Sequence, residues 1–199
     1  MTAAVTRAAG RPRNPGLDRA ILAAAERQLR ELGYARMSLE SVAAVAGTTV
    51  PSVRRRFRDK AGLAVSVIGS LRIADLPAAA GPPRARALAV LRNFHDNLRR
   101  PDSMAVVGTL LAEERHHPEL LSAFRSRLVE PRRALLRDAL ADAIEAGELP
   151  QSADPEVLAS MLVGSFYARY LAASAIPDDW AERTLRQVWP DAVGGTPGT

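Results

Sequence analysis

The sequence contains no cysteine and only three histidines among its 199 residues. Without cysteine, the protein can form neither disulfides nor cysteine-ligated zinc sites. Glu113 and His117 stand four residues apart and could share a metal ion, but with no third ligand nearby a surface ion pair is the better interpretation. The chain also lacks a glycine-rich nucleotide loop and an acid–base constellation. The sequence therefore predicts no metal, no cofactor and no enzymatic activity.

Long apolar segments are missing as well. The most apolar run covers residues 157–168 and ends at Arg169, whereas a membrane-spanning helix needs about 20 apolar residues. The arginines of residues 1–13 are followed by a charged, amphipathic stretch, and not by the apolar core of a signal peptide. We therefore expect a cytoplasmic protein without a membrane partner.

Positive charge is concentrated in the first third of the chain. Residues 1–63 contain twelve Arg or Lys and five Asp or Glu, a net charge of +7, whereas residues 64–199 contain fifteen and seventeen, a net charge of −2. Such asymmetry suggests a segment that faces nucleic acid, joined to a segment that does not. A solvated basic surface would give the same pattern, so charge alone leaves both interpretations open.

Apolar residues recur at helical spacing along the chain, and no usable stretch alternates as a β-strand does. We therefore predict an all-α fold with a break at the prolines and glycine of residues 77–83. Pro131 should kink or split the long helix that contains it. The predicted helices cover residues 17–32, 39–46, a short helix beginning after Thr49, 60–76, 84–100, 103–116, 118–147, 155–173 and 178–189.

Residues 38–63 carry the most informative pattern. Ala43 is small enough for a close helix crossing, Gly47 follows four positions later, and the apolar Val53 follows six positions after that. This is the spacing of a helix-turn-helix. A plain helical hairpin is the alternative, but the second helix is crowded with hydrogen-bond donors, as a helix that enters a DNA groove requires. The donors are Thr48, Thr49, Ser52, Arg54, Arg55, Arg56 and Arg58.

The same region resembles the tetracycline-repressor (TetR) family of bacterial regulators. The resemblance rests on LGY at residues 32–34, on SLESVAAVAG from residue 38, and on RRFRDKAGL up to residue 63. The stretches RHHPELLSAFRSRLVEPRRALL and EAGELPQSADPEVLASMLVGSFYARYL extend a weaker resemblance into the second half. The resemblance implies a three-helix helix-turn-helix domain at 17–63 and a larger helical dimerisation and effector domain at 64–190. Composition predicts a flexible basic arm at residues 1–16 and a disordered tail at 191–199.

The resemblance also implies DNA contacts for individual residues. The recognition helix corresponds to residues 50–57, Ser38 to a helix cap that touches a phosphate, and Lys60 to a phosphate-binding lysine. Most family members have a tyrosine at the position of Arg54, and often a lysine or glycine at the position of Val50. Because these positions contact DNA, the operator sequence of another family member cannot be assigned to this protein. The predicted DNA-binding residues of the motif are Ser38, Thr48, Thr49, Val50, Ser52, Arg54, Arg55 and Lys60.

Residues 10–13, GRPR, resemble the minor-groove core of an AT-hook. Arg11 and Arg13 lie on a proline-restricted segment and would suit the narrow, electronegative minor groove of A·T-rich DNA. A solvated tail is the alternative.

The second half carries two further candidate sites. Ser160, Gly164 and Ala168 form a stripe of small residues that we assign, with Met161 and Leu171, to a homodimer interface; an ordinary core helix is the alternative. The candidates for an effector cavity are Phe94, His95, Met104, His116, Phe124, Met161, Phe166 and Tyr167.

Together, these features predict a homodimeric repressor that leaves its double-stranded DNA operator when an unidentified small molecule binds. The alternative is a DNA-binding protein without an effector, either architectural or regulated by a partner.

We predict that removal of residues 1–13 weakens DNA binding, chiefly at sites with A·T-rich flanks, and leaves dimerisation intact. The loss should follow from the missing minor-groove arginines. Gel-shift titration of the full-length and truncated proteins measures it. Equal affinities would show that the arm is only a solvated tail.

Overall fold

The computed structural model describes residues 15–71, 76 and 80–190, and all regular secondary structure in these ranges is helical. This confirms the predicted all-α fold. Within the same ranges, no helix combines the length and apolarity needed to cross a bilayer. The predictions for the arm, including Arg11 and Arg13, and for the tail lie outside the described residues.

The α-helices are α1 (Pro15–Arg36), α2 (Leu39–Val45), α3 (Val50–Phe57), α4 (Lys60–Ser70), α5 (Pro83–Leu98), α6 (Ser103–Ala112), α7 (Pro118–Phe124), α8 (Glu130–Glu145), α9 (Pro155–Leu171) and α10 (Trp180–Val188).

The chain forms two compact units, one up to Val67 and one from Ile68 onward. In the first unit, α1 packs against α2, and α2 packs against α3. Ile21, Val42 and Val53 are fully buried, so apolar side chains from all three helices meet in one core. These contacts fix the relative positions of the helices that carry the predicted DNA-binding residues.

The first helix differs from the prediction at both ends. It begins at Pro15 and not at residue 17, because proline has no amide hydrogen and is well tolerated in the first turn of a helix. Residues 15 and 16 therefore belong to α1 and not to the arm. Near its other end, Gly33 takes a φ of 76° and interrupts the helical backbone, as predicted from the glycine that follows the apolar pattern.

Two other helices end earlier than predicted. The fourth helix ends at Ser70 and not near residue 76. The sixth ends at Ala112 and not at residue 116, and the amides of His116 and His117 instead bond to the Glu113 carbonyl in a turn. Pro118 disfavours helical backbone at His117, directly before it, so the chain leaves the helical conformation there before α7 begins.

Pro131 splits the long predicted helix of residues 118–147, as expected. A π-helical turn, Arg125–Val129, separates α7 from α8, which has proline in its first turn. Proline donates no hydrogen bond, and its ring would clash with the carbonyl four residues earlier in a regular helix. A single wide turn that admits one extra residue avoids this conflict.

The core of the second unit lies among α5, α8, α9 and α10. The ring of Phe94 lies near its centre, 5.4 Å from the Phe166 ring and 5.8 Å from the Trp180 ring between centroids. The ring of His95 is 5.4 Å from that of Trp180, and only 2% of the residue is exposed. Its Nε2 atom has no hydrogen-bond partner among the described residues. An imidazole is therefore enclosed by apolar rings.

This enclosure gives a pH-dependence with a definite sign. Burial lowers the pKa of His95 below its ordinary value; Arg99 adds to the lowering, whereas Asp96, Asp178 and Glu182 oppose it. The unfolded chain therefore binds a proton that the folded chain resists, so stability is full above about pH 6.5 and falls below it.

We predict that His95→Phe reduces the loss of unfolding free energy between pH 7.5 and pH 5.5, because the ring remains but the titrating group is gone. Urea unfolding at each pH measures this loss. His116→Gln, at an exposed histidine, is the control and should retain the wild-type slope. A variant slope equal to that of the wild type would contradict the assignment to His95.

Candidate nucleic-acid interface and regulatory core

The turn between α2 and α3 is built from local hydrogen bonds. The Ser38 hydroxyl caps α2 by accepting from the Ser41 amide at 3.1 Å, and the Thr49 hydroxyl caps α3 by accepting from the Ser52 amide at 3.4 Å. Between them, Gly47 has a φ of 63°, which favours glycine. The sequence predicted the Ser38 cap and the turn at Gly47, because serine and glycine are residues that such positions select, but it left open whether Thr49 or Val50 precedes α3.

Gln28 joins α1 to the start of α2. Its side chain is buried; its Nε2 donates to the Ser41 hydroxyl at 2.8 Å, and its Oε1 accepts from the Ser38 amide at 3.5 Å. These bonds hold Ser38 at the edge of the unit. Sequence reasoning missed this contribution, although a glutamine on the apolar face of α1 was the available signal.

The arginines of α3 divide into two groups. Arg54, Arg55 and Arg58 are exposed, but only 12% of the Arg56 side chain is accessible. Arg56 Nε donates to Asp18 Oδ1 at 2.6 Å, and its Nη1 donates to the Ser52 hydroxyl at 2.8 Å. Arg56 therefore joins α3 to α1, while the other three guanidinium groups face solvent.

A groove of about 400 Å³ brings several of the predicted DNA-binding residues together. Ser38, Arg54 and Lys60 all line it, with the unpredicted contributor Arg58. The Lys60 ammonium donates to the Ala35 carbonyl at 3.0 Å and lies 4.4 Å from the centroid of the Tyr34 ring. The other lining residues are Met37, Leu39, Glu40 and Asp59. The groove thus presents three cationic side chains, two carboxylates and one hydroxyl, so positive charge is in excess.

A rare backbone turn shapes the end of α3. Arg58 has φ 66° and ψ −63°, and the Asp59 amide bonds to the Phe57 carbonyl at 2.8 Å. This is the γ-turn with positive φ, which is strained for any residue with a side chain. The chain reverses here, so Arg58 and Lys60 line the same groove.

The residues after this turn permit a tight start to α4. A Cβ atom on Gly62 would lie only 2.3 Å from the Phe57 carbonyl oxygen, so a side chain there would force the turn to move. The Gly62 amide donates to Asp59 Oδ1 at 2.7 Å. This bond, and the neighbouring Arg58, lower the pKa of Asp59 below its ordinary value. Asp59 is thus held as a carboxylate that caps α4.

The remaining residues predicted in the motif are less accessible. Thr48 and Val50 are half-buried, and the Thr48 amide is used within the turn, where it bonds to the Ala43 carbonyl at 2.9 Å. Ser52 is also half-buried, and its hydroxyl accepts from Arg56. Thr49, at the start of α3, is exposed. The outer surface of α3 is therefore dominated by its three exposed arginines.

In the second unit, α9 has one buried face and one exposed apolar face. Met161 is 57% exposed and Leu171 is 83% exposed. Gly164 is half-buried, and a Cβ atom built there would meet nothing within 4 Å. Ser160 and Ala168 are also exposed. The residues predicted for a dimer interface thus share one open face, which does not belong to the core of a single chain.

The predicted effector residues separate into three groups. Phe94, His95, Phe166 and Tyr167 form one cluster of aromatic rings. The partly buried Met104 and Phe124 are less enclosed. His116 and Met161 are exposed, so the expectation that they line an interior cavity is wrong for a single chain. His116 lies in the turn after α6, and Met161 lies on the outer face of α9.

Comparison with known proteins agrees with this geometry. Residues 21–67 match the family described as "Bacterial regulatory proteins, tetR family". Residues 77–188, more than half of the chain, match the family described as "Tetracyclin repressor-like, C-terminal domain". The chain belongs to the TetR family. This regulator is accordingly a DNA-binding protein that controls transcription.

Relatives and solved structures of the family resemble the regulator over nearly its full length. It is 27% identical over 190 residues to the HTH-type transcriptional regulator Mb1581 of Mycobacterium bovis, covering 89% of each chain. It is 25% identical to the TetR-family regulator SCO0332, covering 86% of this chain and 96% of that one, with a TM-score of 0.58. AibR, solved with isovaleryl coenzyme A and operator DNA, has the same fold with 19% identity and a TM-score of 0.62, covering 87% of this chain and 98% of that one.

We predict that Arg54→Ala and Arg55→Ala each weaken operator binding by about 1–3 kcal/mol, the usual cost of losing a contact to a base edge. The unfolding free energy should stay the same because both side chains are exposed. Fluorescence anisotropy with a labelled duplex, selected by the regulator from a random library, measures the affinity.

The matched control is Arg56→Ala in the same helix. Loss of its bonds to Asp18 and Ser52 should lower the unfolding free energy by about 1–2 kcal/mol, measured by urea unfolding. If neither Arg54→Ala nor Arg55→Ala changed the DNA affinity, α3 would not be the recognition helix.

Proposed function

We propose that the regulator is a homodimeric repressor that leaves its operator when a small molecule binds the second unit. In this proposal residues 17–63 bind DNA, and residues 64–190 dimerise and respond to the effector. The observation that carries the proposal is the basic groove beside α3. There Ser38, Arg54 and Lys60, which lie on three different elements, line one concave surface.

The groove suits the DNA backbone, and the exposed side of α3 suits the base edges. Ser38 lies at the start of α2 and Lys60 at the start of α4, and helix N-termini attract phosphate. Arg54 and Arg55 carry fork-shaped donors that can pair with guanine in the major groove. Thr48, Thr49, Val50 and Ser52 flank them in this proposal, and Arg11 and Arg13 reach the minor groove.

The exposed face of α9 supports a symmetric dimer. Val157, Met161, Gly164, Ala168 and Leu171 recur at alternating spacings of four and three residues. This is the spacing of a helix that packs along a partner helix. Gly164 leaves room for the partner's backbone, and the apolar side chains on either side would lose contact with water. A second copy of the chain offers the complementary surface because a two-fold interface pairs each patch with itself.

Dimerisation also allows two DNA-binding units to contact two half-sites of one operator. Two recognition helices related by a two-fold axis read half-sites whose centres lie about 34–36 Å apart, or a multiple of that distance. Each half-site then increases the effective concentration of the other. The effector part of the proposal is supported by AibR, a protein of the same fold that was solved with both isovaleryl coenzyme A and operator DNA.

The alternative of an effector-independent DNA-binding protein has a clear test. A ligand library is screened for compounds that lower the affinity of the regulator for its selected duplex. A compound that does so without unfolding the protein supports the repressor model. Dimeric protein whose DNA affinity no compound changes supports the alternative.

We predict that Gly164→Leu turns the dimer into a folded monomer that binds DNA weakly. A Cβ atom built at Gly164 meets no packed neighbour of its own chain within 4 Å. The leucine would instead separate the paired helices, and overpacking a tight contact costs about 1–3 kcal/mol on each subunit. Light scattering gives the mass, and circular dichroism gives the helix content.

Gly108→Leu is the matched control, because Gly108 lies within a helix and is also open to 4 Å. It should cost similar helix propensity and leave the dimer intact. The assignment of the interface to α9 would be overturned by a dimeric Gly164→Leu protein with full DNA affinity, or by a monomeric wild type at micromolar concentration.

A further inference from the structure

The second unit contains a partly buried arginine that pairs with no carboxylate among the described residues. Arg132, in the first turns of α8, donates from Nε to Asn93 Oδ1 at 2.9 Å and from Nη1 to the Leu128 carbonyl at 3.2 Å. Within the described ranges, no Asp or Glu lies within ion-pairing distance of it. The hydrogen bonds that the described residues offer this guanidinium therefore come from neutral acceptors, the Asn93 side chain and the Leu128 carbonyl.

Two other arginines with little exposed side chain pair directly with carboxylates. Arg56, with 12% of its side chain exposed, pairs with Asp18, and Arg86, with 14% exposed, pairs with Asp142. A charge that leaves water without a partner is costly, so buried cations are normally paired. Arg132 departs from this pattern at a place where α5, α8 and α9 converge.

The surroundings of Arg132 favour an anion. Burial lowers the pKa of its guanidinium, and the positive charge of Arg100 adds to that lowering. Burial raises the pKa of the Tyr167 hydroxyl, which lies close enough to Arg132 for the cation to oppose the rise. The hydroxyl is thus a neutral donor beside the guanidinium. A bound carboxylate would accept from both groups and offset two positive charges.

An apolar wall adjoins this polar cluster. The Phe94 ring stands edge-on to the Tyr167 ring with centroids 5.8 Å apart, and Met104 packs against the same core. His95 belongs to the opposite side of α5 from Asn93, because residues two apart on a helix differ by about 200°. The juxtaposition is therefore a cation and a hydroxyl next to an aromatic surface.

We propose that Arg132 binds the carboxylate of a small organic acid whose apolar part lies against Phe94 and Tyr167. This rests on the proposed function, because it assigns a chemical class to the effector of the second unit. The acid accepts hydrogen bonds from Arg132 and the Tyr167 hydroxyl.

Binding at this position would reach the π-helical turn. Arg132 Nη1 donates to Leu128, a residue of that turn, and a carboxylate competes for the same donor. Arg127 of the turn lies against α4, where its Nη1 would be 2.8 Å from a Cβ atom on Gly69. The acid would thus act on contacts that extend from Arg132 through the π-helical turn to Gly69, in the last turn of α4.

The test uses three probes: 2-naphthoate, octanoate and the uncharged 2-naphthamide. Binding to the full-length dimer is measured by calorimetry, and the effect on the selected DNA duplex is measured by anisotropy. Either acid should bind the wild type more tightly than the amide does. Comparison of the two acids shows whether the site prefers an aromatic or an aliphatic apolar part beside the carboxylate.

Arg132→Met should weaken binding of the acids about 10-fold to 100-fold, as expected for the loss of a charge-assisted hydrogen bond, and should leave binding of the amide unchanged. Arg92→Met is the control, because Arg92 is exposed and pairs with Glu182 at 2.6 Å; it should bind the acids like the wild type. Tyr167→Phe keeps the ring and removes the hydroxyl. It should weaken acid binding several-fold, and it decides the matter if Arg132→Met does not fold.

Each outcome distinguishes this inference from the proposed function. Tight acid binding that depends on Arg132 supports the site. If the DNA affinity does not change, the site stands, but these acids do not release the regulator from DNA. Acids that bind no better than the amide, or equally well to wild type and to both site variants, overturn the site. If the amide alone then releases DNA, the repressor proposal stands without an acidic effector.

Discussion

The ion pair between Arg56 and Asp18 fixes the rotation of α3, and the rest of the DNA-binding surface depends on that rotation. Arg56 follows the buried Val53 by three residues, so both point toward the core. Once they are directed inward, the helical geometry turns Arg54 and Arg55 toward solvent. A helix this short has little stability of its own. Its orientation therefore comes from tertiary contacts.

The same dependence explains which parts of the site could be predicted from the sequence. Helix caps and turns are local, so Ser38 and Gly47 were identified from their residue types and spacing. The separate role of Arg56 was missed because its partner lies 38 residues away, and four arginines in five positions look alike in a sequence. Its three-residue distance from Val53 was the signal that could have distinguished it.

The second unit shows a similar division. Proline positions gave most helix boundaries and the break near Pro131, because proline excludes specific backbone hydrogen bonds. Burial was harder to predict. The sequence left open whether α9 is an ordinary core helix or an interface helix, and one of its faces is open in the single chain, with Met161 57% exposed. The Arg132–Asn93 contact joins residues 39 apart in sequence, and helical periodicity carries no information about such pairs.

The π-helical turn between α7 and α8 has a consequence for how chains of this kind can differ in length. A π-turn holds one residue more than the α-helix it interrupts. Deletion of a single residue within 125–129 would remove this wide turn and bring the Pro131 ring against the carbonyl four residues earlier, so α7 and α8 could join only with a kink. Homologues one residue shorter at this point would then carry one continuous helix only where another residue replaces the proline. Arg127 would lose its place against Gly69, so the loss of one residue would alter a long-range contact while the core remained intact.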